Sequence, residues 1–170
     1  MEQTQASPLE IGISQLISST FIHLDEGDRQ LMKRFGITTT QYWALVHLEH
    51  PEGRSLSELA RLLICDKSNI TSVVDKLEEA HLAWRQRSGA GSDRRFTRVI
   101  LTEQGQQLRR QAKEAREGIL STRLHLLGEE NMQNLYHLLQ QLSTLLGDQF
   151  ARDEVSTLIE RATKQPLERS

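Results

Sequence analysis

Apolar residues recur along most of this chain at the three- and four-residue spacing of amphipathic helices. In the N-terminal part the spacing runs from Leu9 to Phe35 and from Tyr42 to Leu48, and a break at Gly27 allows one long helix or two with a bend. In the C-terminal part it runs from Leu108 to Leu127 and from Leu135 to Leu146. The pattern predicts a mainly α protein whose flanking helices are rich in leucine and isoleucine.

The middle of the chain, residues 55–102, has shorter elements with explicit start signals. Ser55 and Glu58 form the S-x-x-E pattern of a capping box, as Thr38 and Gln41 do at an earlier helix start. Asp66 is a favourable N-cap for a second helix over 67–80. The apolar residues of that helix fall on one stripe: Ile70, Val73, Val74 and Leu77. Two short helices joined by a tight turn are therefore predicted.

The other face of the second helix is polar. It carries small hydroxyl and amide side chains flanked by cations: Lys67, Ser68, Asn69, Thr71, Ser72 and Lys76. Such side chains reach base edges and phosphates from a helix lying in a major groove. The same residues also suit the solvated face of an ordinary helix pair, so this segment alone leaves both interpretations open.

A hairpin follows, and it concentrates positive charge. Two β-prone segments, 82–87 and 96–101, flank a glycine- and serine-containing loop. The candidate DNA-binding residues here are Arg85, Asp93, Arg94 and Arg95. Residues 54–98 hold nine Lys/Arg against six Asp/Glu on a chain of net charge −2. A basic patch on an acidic body is the electrostatic pattern expected of a protein that binds a phosphate backbone.

These elements resemble the MarR family of bacterial transcription regulators. The resemblance rests on Ser55-x-x-Glu58-Leu59-Ala60, the segment from Asp66 to Glu78, Asp93-Arg94-Arg95, and the Leu-Thr-x-x-Gly start of the next helix, in that order. It covers 38–110 closely. Two departures are His81, where the family usually has Gly, and Ile64, where it commonly has a small residue; a non-Gly residue in a left-handed C-cap is strained.

The resemblance implies a fold and a separate role for each part of the chain. It implies one MarR-like domain over 1–170, with a winged helix-turn-helix DNA-binding part at 38–101 and helical dimerisation parts at 8–36 and 103–163. A homodimer, an inverted-repeat operator in double-stranded DNA and a role as a repressor follow from it. It also implies a small aromatic or phenolic effector, for which Phe21, Tyr42 and Trp43 are candidate pocket residues; aromatic residues at helical spacing are more often part of a core.

The DNA-binding roles divide between base and backbone contacts. Ser55 is a further candidate for a DNA contact, in addition to the residues on the polar face of the second helix. Lys67 and Lys76 are expected to contact phosphates. Arg94 and Arg95 are expected to enter or border the minor groove, with Asp93 orienting one of them. The alternative is a winged-helix protein-interaction module that does not read DNA, which the acidity of the whole chain keeps open.

Other chemistry is sparse in the sequence. Phosphate-binding, nucleophile-elbow and H-E-x-x-H motifs are absent, so neither an enzyme nor a cofactor is predicted. His47 and His50 could share a helix face with a metal, but such a pair is more often polar surface. Cys65, the single cysteine, is interpreted as a small buried hydrophobe, with redox sensing as the alternative. No apolar run approaches roughly 18 residues, and a cytoplasmic protein is expected.

Overall fold

A computed structural model describes residues 5–87 and 97–151. The elements in order are α1 (Pro8–Arg34), α2 (Thr39–His47), α3 (Leu56–Leu62), α4 (Lys67–Glu79), β1 (Ala83–Arg87), β2 (Thr97–Leu101), α5 (Glu103–Leu124), a 3-10 turn (His125–Leu127) and α6 (Glu129–Ala151). The chain divides into two compact units, residues 1–118 and 119–170. The mainly α fold with a two-stranded antiparallel hairpin is as the sequence predicts.

Helix starts in the first unit are fixed by reciprocal side-chain caps. Thr38 Oγ1 accepts from Gln41 N at 3.2 Å, and Gln41 Oε1 accepts from Thr38 N at 2.7 Å. Ser55 and Glu58 make the same pair at the start of α3, at 3.2 and 2.7 Å. Both predicted capping boxes are confirmed. They position α2 and α3 because each satisfies two backbone N–H groups that the helix itself cannot.

Of the two arrangements predicted for the N-terminal helix, the structure has the single long one. α1 continues through Gly27 to Arg34 without interruption. It ends at Gly36, whose φ of +72° is the left-handed conformation that closes a helix. α1 is therefore one continuous helix, and its exposed apolar residues lie between Leu9 and Ile22.

The core of the first unit is formed where α2, α3 and α4 meet the hairpin. Its largest fully buried side chains are Met32, Leu45, Leu48, Leu59, Ile70, Leu77, Val74 and Val99. The predicted stripe of α4 is buried in this core. Because α4 is anchored along one side only, its opposite side faces solvent.

The hairpin is anchored to the helices by a third segment. β1 and β2 pair antiparallel with Ala83 opposite Leu101. Arg54 adds a bridge to β2, with its N–H 3.0 Å from Val99 O and its carbonyl 2.7 Å from Val99 N. Gly53 precedes it at φ +68°, and a Cβ there would lie 2.4 Å from Val99 O. The base of the hairpin is therefore held by backbone contacts that only glycine permits.

The second unit consists of the end of α5, the 3-10 turn and α6. The leucines of α6 leave a long apolar surface exposed: Leu135, Leu138, Leu139, Leu145 and Leu146. α1, in the first unit, likewise exposes Leu9, Leu16, Phe21 and Ile22. Through the described part of the chain, no helix has the length and apolar character required to cross a membrane.

Candidate nucleic-acid interface

The polar face of α4 is the centre of the candidate site. Lys67, Ser68, Asn69, Ser72 and Lys76 are all exposed, while Thr71 is half-buried. Thr71 Oγ1 donates to the carbonyl of Lys67 at 2.8 Å, so part of its hydrogen-bonding capacity is used within the helix. The structure thus brings six predicted residues together on one 13-residue helix, and five of them present their side chains to solvent.

The start of α4 is where the sequence predicts it. Asp66 is the N-cap and has the extended backbone of that position, with φ −65° and ψ 149°. Its side chain makes no capping hydrogen bond. Since the cap leaves first-turn N–H groups without a side-chain acceptor, they can meet an external acceptor such as a phosphate oxygen.

Ser55 has a structural task at the start of α3. Its hydroxyl accepts from Glu58 N, and its backbone N–H donates to the Glu58 carboxylate. These contacts lower the pKa of Glu58. The backbone hydrogen bond from Ser55 is the larger cause, and the hydrogen bond with the Ser55 side chain is the smaller one. A DNA contact by the Ser55 hydroxyl would have to be made in addition to this cap.

Arg85 is held by two carboxylates of α4. Its guanidinium lies 2.7 Å from Asp75 and also pairs with Glu78, whose other oxygen accepts from Arg85 N at 2.7 Å. Only 25% of its side chain is exposed. The charge that the sequence assigned to DNA is thus compensated within the protein, and Arg85 joins β1 to the C-terminal half of α4.

Two other arginines near the hairpin also donate to the protein backbone. Arg54 Nε lies 2.7 Å from the carbonyl of His47, and Arg98 donates to the carbonyl of Gly53 at 3.0 Å. Burial, with the Arg54 charge as the smaller cause, lowers the pKa of His47. These hydrogen bonds fix the direction of both guanidinium groups without neutralising their charge, because a carbonyl is a neutral acceptor.

The end of α3 and the turn that follows it add two exposed residues that were not among the predicted DNA-binding residues. Arg61 and Ile64 line the same shallow depression, of about 470 Å³, beside Asp66. Arg61 is one of the nine Lys/Arg residues counted in 54–98. Its position next to the start of α4 depends on how the turn folds, which the sequence does not show. Ile64 stood out in the sequence only as a departure from the family pattern, and its exposure was not expected because apolar residues are usually buried.

The wing loop and the chain beyond α6 lie outside the described residues. The predicted roles of Asp93, Arg94 and Arg95 fall there, as does the end of the predicted dimerisation part after residue 151. Those roles remain predictions. The described strands, Ala83–Arg87 and Thr97–Leu101, agree with the predicted hairpin to within one residue at each end.

The three aromatic candidates for an effector pocket have different surroundings. Tyr42 is only 2% exposed and belongs to the core, and burial raises its pKa. Trp43 packs edge-on to Tyr42 with ring centroids 5.1 Å apart, and the Arg116 guanidinium lies 4.9 Å from its ring. Phe21 is 67% exposed on α1. For Tyr42, the structure therefore supports the alternative given with the sequence, namely that it is a core residue.

The remaining candidate chemistry has modest structural support. Cys65 is half-buried and packs against the core, in line with its interpretation as a small hydrophobe. Within residues 5–87 and 97–151, no group of three or more His, Cys, Asp or Glu side chains is arranged to hold a metal ion. The described candidates therefore centre on α4 and its flanks.

Comparison with known proteins identifies the same segment. A family model described as a winged helix DNA-binding domain matches residues 37–105. The transcriptional repressor MprA of Escherichia coli strain K12 is 29% identical over 148 residues, covering 86% of this chain and 82% of MprA. The transcriptional repressor MdtR of Bacillus subtilis strain 168 is 28% identical over 112 residues, covering 66% of this chain and 71% of MdtR.

Solved structures share the fold over most of the chain. AbsC, a MarR family transcriptional regulator from Streptomyces coelicolor, superposes with a TM-score of 0.73 at 23% identity, covering 86% of this chain and all of AbsC. A MarR family regulator from Rhodococcus sp. RHA1 gives 0.69 at 24% identity, covering 81% of this chain and 96% of that one. The matched winged-helix segment, the related repressors and the shared fold all point to the MarR family of transcription regulators.

Proposed function

We propose that this protein is a repressor that binds double-stranded DNA sequence-specifically as a homodimer and is released by a small-molecule effector. α4 enters the major groove, where Ser68, Asn69 and Ser72 contact base edges while Lys67 and Lys76 contact phosphates. Arg94 and Arg95 carry the minor-groove contact of the wing. The relatives named as repressors support the direction of regulation.

One observation carries this proposal: α4 buries one stripe in the core and leaves its small polar side chains and two lysines exposed together. A helix with that arrangement can enter a groove without loss of core packing. The hairpin root is ion-paired to the same helix through Arg85, so the wing has a defined origin beside it. Helix and wing can then meet one duplex.

The dimer is supported by apolar surface that each unit leaves exposed. α1 exposes Leu9, Leu16 and Phe21, and α6 exposes Leu138 and Leu145. Soluble chains rarely leave contiguous apolar faces of this length unpartnered. A two-fold dimer would present two α4 helices to successive major grooves, about 34 Å apart, and therefore would require an inverted-repeat site.

The effector is proposed from the resemblance, as a small phenolic or aromatic acid that shifts the dimer toward a conformation unable to bind both half-sites. In the first unit, a cavity of about 650 Å³ is lined by Asp25, Arg29, Lys33 and the start of α2. Arg29 is paired with Asp25 at 3.4 Å and with Glu26, so Lys33 is the lining cation proposed to meet an acidic group. Titration of a panel of such acids into the DNA complex tests this part. Release at concentrations that leave the protein folded is the expected result.

The central experiment is selection of bound duplexes from a random pool with the full-length protein. Recovery of an inverted repeat with half-site centres about 10 base pairs apart is expected. A single unrepeated site would contradict the dimer geometry but leave DNA reading intact. Absence of salt-dependent binding to any duplex would discard the proposal in favour of a protein-interaction module.

A further inference from the structure

Three helices of the first unit end in the same backbone motif. In each, the residue after the C-cap is left-handed, and its N–H and the next N–H bond back to two carbonyls of the last turn. At the end of α1 this residue is Gly36, with Ile37 N bonded to Met32 O at 3.2 Å. At the ends of α3 and α4 it is Ile64, at φ +49°, and His81, at φ +57°.

Of these three residues, Ile64 is the one for which the left-handed backbone conformation costs the most free energy. Left-handed backbone crowds any Cβ, and a β-branched side chain tolerates it least. The motif itself needs only the backbone: Ile64 N bonds to Arg61 O at 3.3 Å and Cys65 N to Ala60 O at 3.0 Å, bonds that glycine would make equally well. The fold at this turn therefore gives no reason for isoleucine over glycine.

The Ile64 side chain gains nothing from packing in the isolated chain. It is 94% exposed, the highest exposure among the large hydrophobic residues of the described chain. It lies two residues before the N-cap of α4 and lines a shallow depression together with Arg61. A strained, water-exposed apolar residue beside the reading helix is stabilised only by a partner that covers it.

We propose that Ile64 is an affinity- and specificity-determining residue that packs on an apolar group of DNA where the start of α4 enters the major groove. Duplex DNA offers two such groups there, the thymine methyl and the deoxyribose ring. The inference rests on the proposed DNA-binding function. The partner is DNA because Ile64 adjoins the exposed face of α4 and an exposed cation, Arg61.

The test compares Ile64→Gly, Ile64→Leu and His81→Gly in the full-length protein. Both glycine variants replace a left-handed residue by one that adopts this conformation freely, but the two sites flank opposite ends of α4, a 13-residue helix about 20 Å long. Melting temperatures at or above that of the wild type are expected for both. Duplex binding is measured by fluorescence anisotropy at several salt concentrations, on the selected duplex and on the same duplex with deoxyuridine in place of thymidine.

Ile64→Gly is expected to bind about tenfold more weakly, which corresponds to about 1.4 kcal/mol, with an unchanged salt dependence because no phosphate contact is lost. Ile64→Leu should keep most of the affinity, and His81→Gly should bind as the wild type does. Loss of affinity on deoxyuridine in the wild type but not in Ile64→Gly assigns the contact to the thymine methyl. Weakening by Ile64→Gly alike on both duplexes assigns it to deoxyribose.

Two results would overturn the inference. One is wild-type affinity of Ile64→Gly while the wild type itself binds the duplex, which leaves the proposed function standing. The other is equal weakening by Ile64→Gly and Ile64→Leu, which would show that the apolar side chain is not what the duplex contacts. If the wild type binds no duplex at all, the proposed function fails first, and the two failures are thereby distinguished.

Discussion

At the scale of single residues, the structure separates charges that face solvent from charges already used inside the protein. Lys67 and Lys76 are exposed on α4, whereas Arg85 is enclosed by Asp75 and Glu78. Counting charges along the sequence treats all three cations alike. The distinction matters because only an uncompensated cation exchanges counterions with a phosphate backbone.

Replacement of Arg85 tests that distinction. Arg85→Gln should lower the free energy of unfolding by about 0.5–1 kcal/mol, since it leaves Asp75 and Glu78 close together without a cation, in a partly exposed site. The slope of binding against salt should not change. Urea denaturation and anisotropy titrations measure the two quantities, with exposed Arg110→Gln as control. A shallower salt slope without loss of stability would instead assign Arg85 to a phosphate.

Substitutions on the polar face of α4 should have two distinguishable effects on DNA binding. Asn69→Ala should relax the preference at particular base pairs, by about 1–3 kcal/mol at the affected position. Lys76→Ala should weaken binding to all sequences alike and reduce the salt slope by about one. Competition among single-base variants of the selected site measures the first effect. Uniform weakening by Asn69→Ala would place that side chain at the backbone.

His47 makes stability depend on pH. Burial first, then Arg54, lowers its pKa in the folded state, so the unfolded chain binds a proton more readily. His47 does not affect the free energy of unfolding while its imidazole is neutral in both the folded and the unfolded state. As the pH falls from about 7 to about 5, the unfolded chain takes up the proton first and stability is lost. His47→Gln should lose less stability over that range in urea denaturation. Equal losses in both proteins would contradict the prediction.

At the scale of elements, helix starts and close backbone approaches fix where the hairpin and α5 meet. Thr102 Oγ1 accepts from Gly105 N at 2.9 Å and donates to His81 O at 2.7 Å, which joins the start of α5 to the end of α4. Gly105 packs directly against the backbone of Leu82. α5 therefore leaves the hairpin in a fixed direction.

A pair of glycine substitutions within α5 tests this junction. A Cβ at Gly105 would lie 1.9 Å from Leu82 O, so Gly105→Ala should cost about 2 kcal/mol or more. Gly118→Ala, in the same helix, meets no atom within 4 Å and should stabilise by about 0.5–1 kcal/mol. Thermal and urea unfolding check both values. A neutral Gly105→Ala would mean that the start of α5 can shift freely.

At the scale of the whole molecule, the proposed dimer depends on the exposed apolar residues of α1 and α6. Sedimentation equilibrium at micromolar concentration should give twice the 19.5-kDa chain mass. Leu138→Glu/Leu145→Glu should shift the equilibrium toward monomer and weaken DNA binding, because it places charges on exposed apolar positions of α6. Gln133→Glu/Gln140→Glu adds the same charge at exposed polar positions of that helix and should remain dimeric. A monomeric wild type would refute the assembly.

The sequence by itself determined the helix periods, the two capping boxes at Thr38 and Ser55, the stripe of α4 and the hairpin. These features depend on residues within a few positions of one another, so local physics specifies them. It also pointed to the MarR family, because several such local features occur in a fixed order.

Only the tertiary structure decided how individual polar and apolar side chains are used. It paired Arg85 with Asp75 and Glu78, buried Tyr42 among core residues, and left Ile64 in solvent on a left-handed turn. Each outcome depends on which segments pack together, and hydrophobic periodicity does not encode that. The exposed residues available to a DNA duplex could therefore be selected only after the fold had shown which side chains were already engaged.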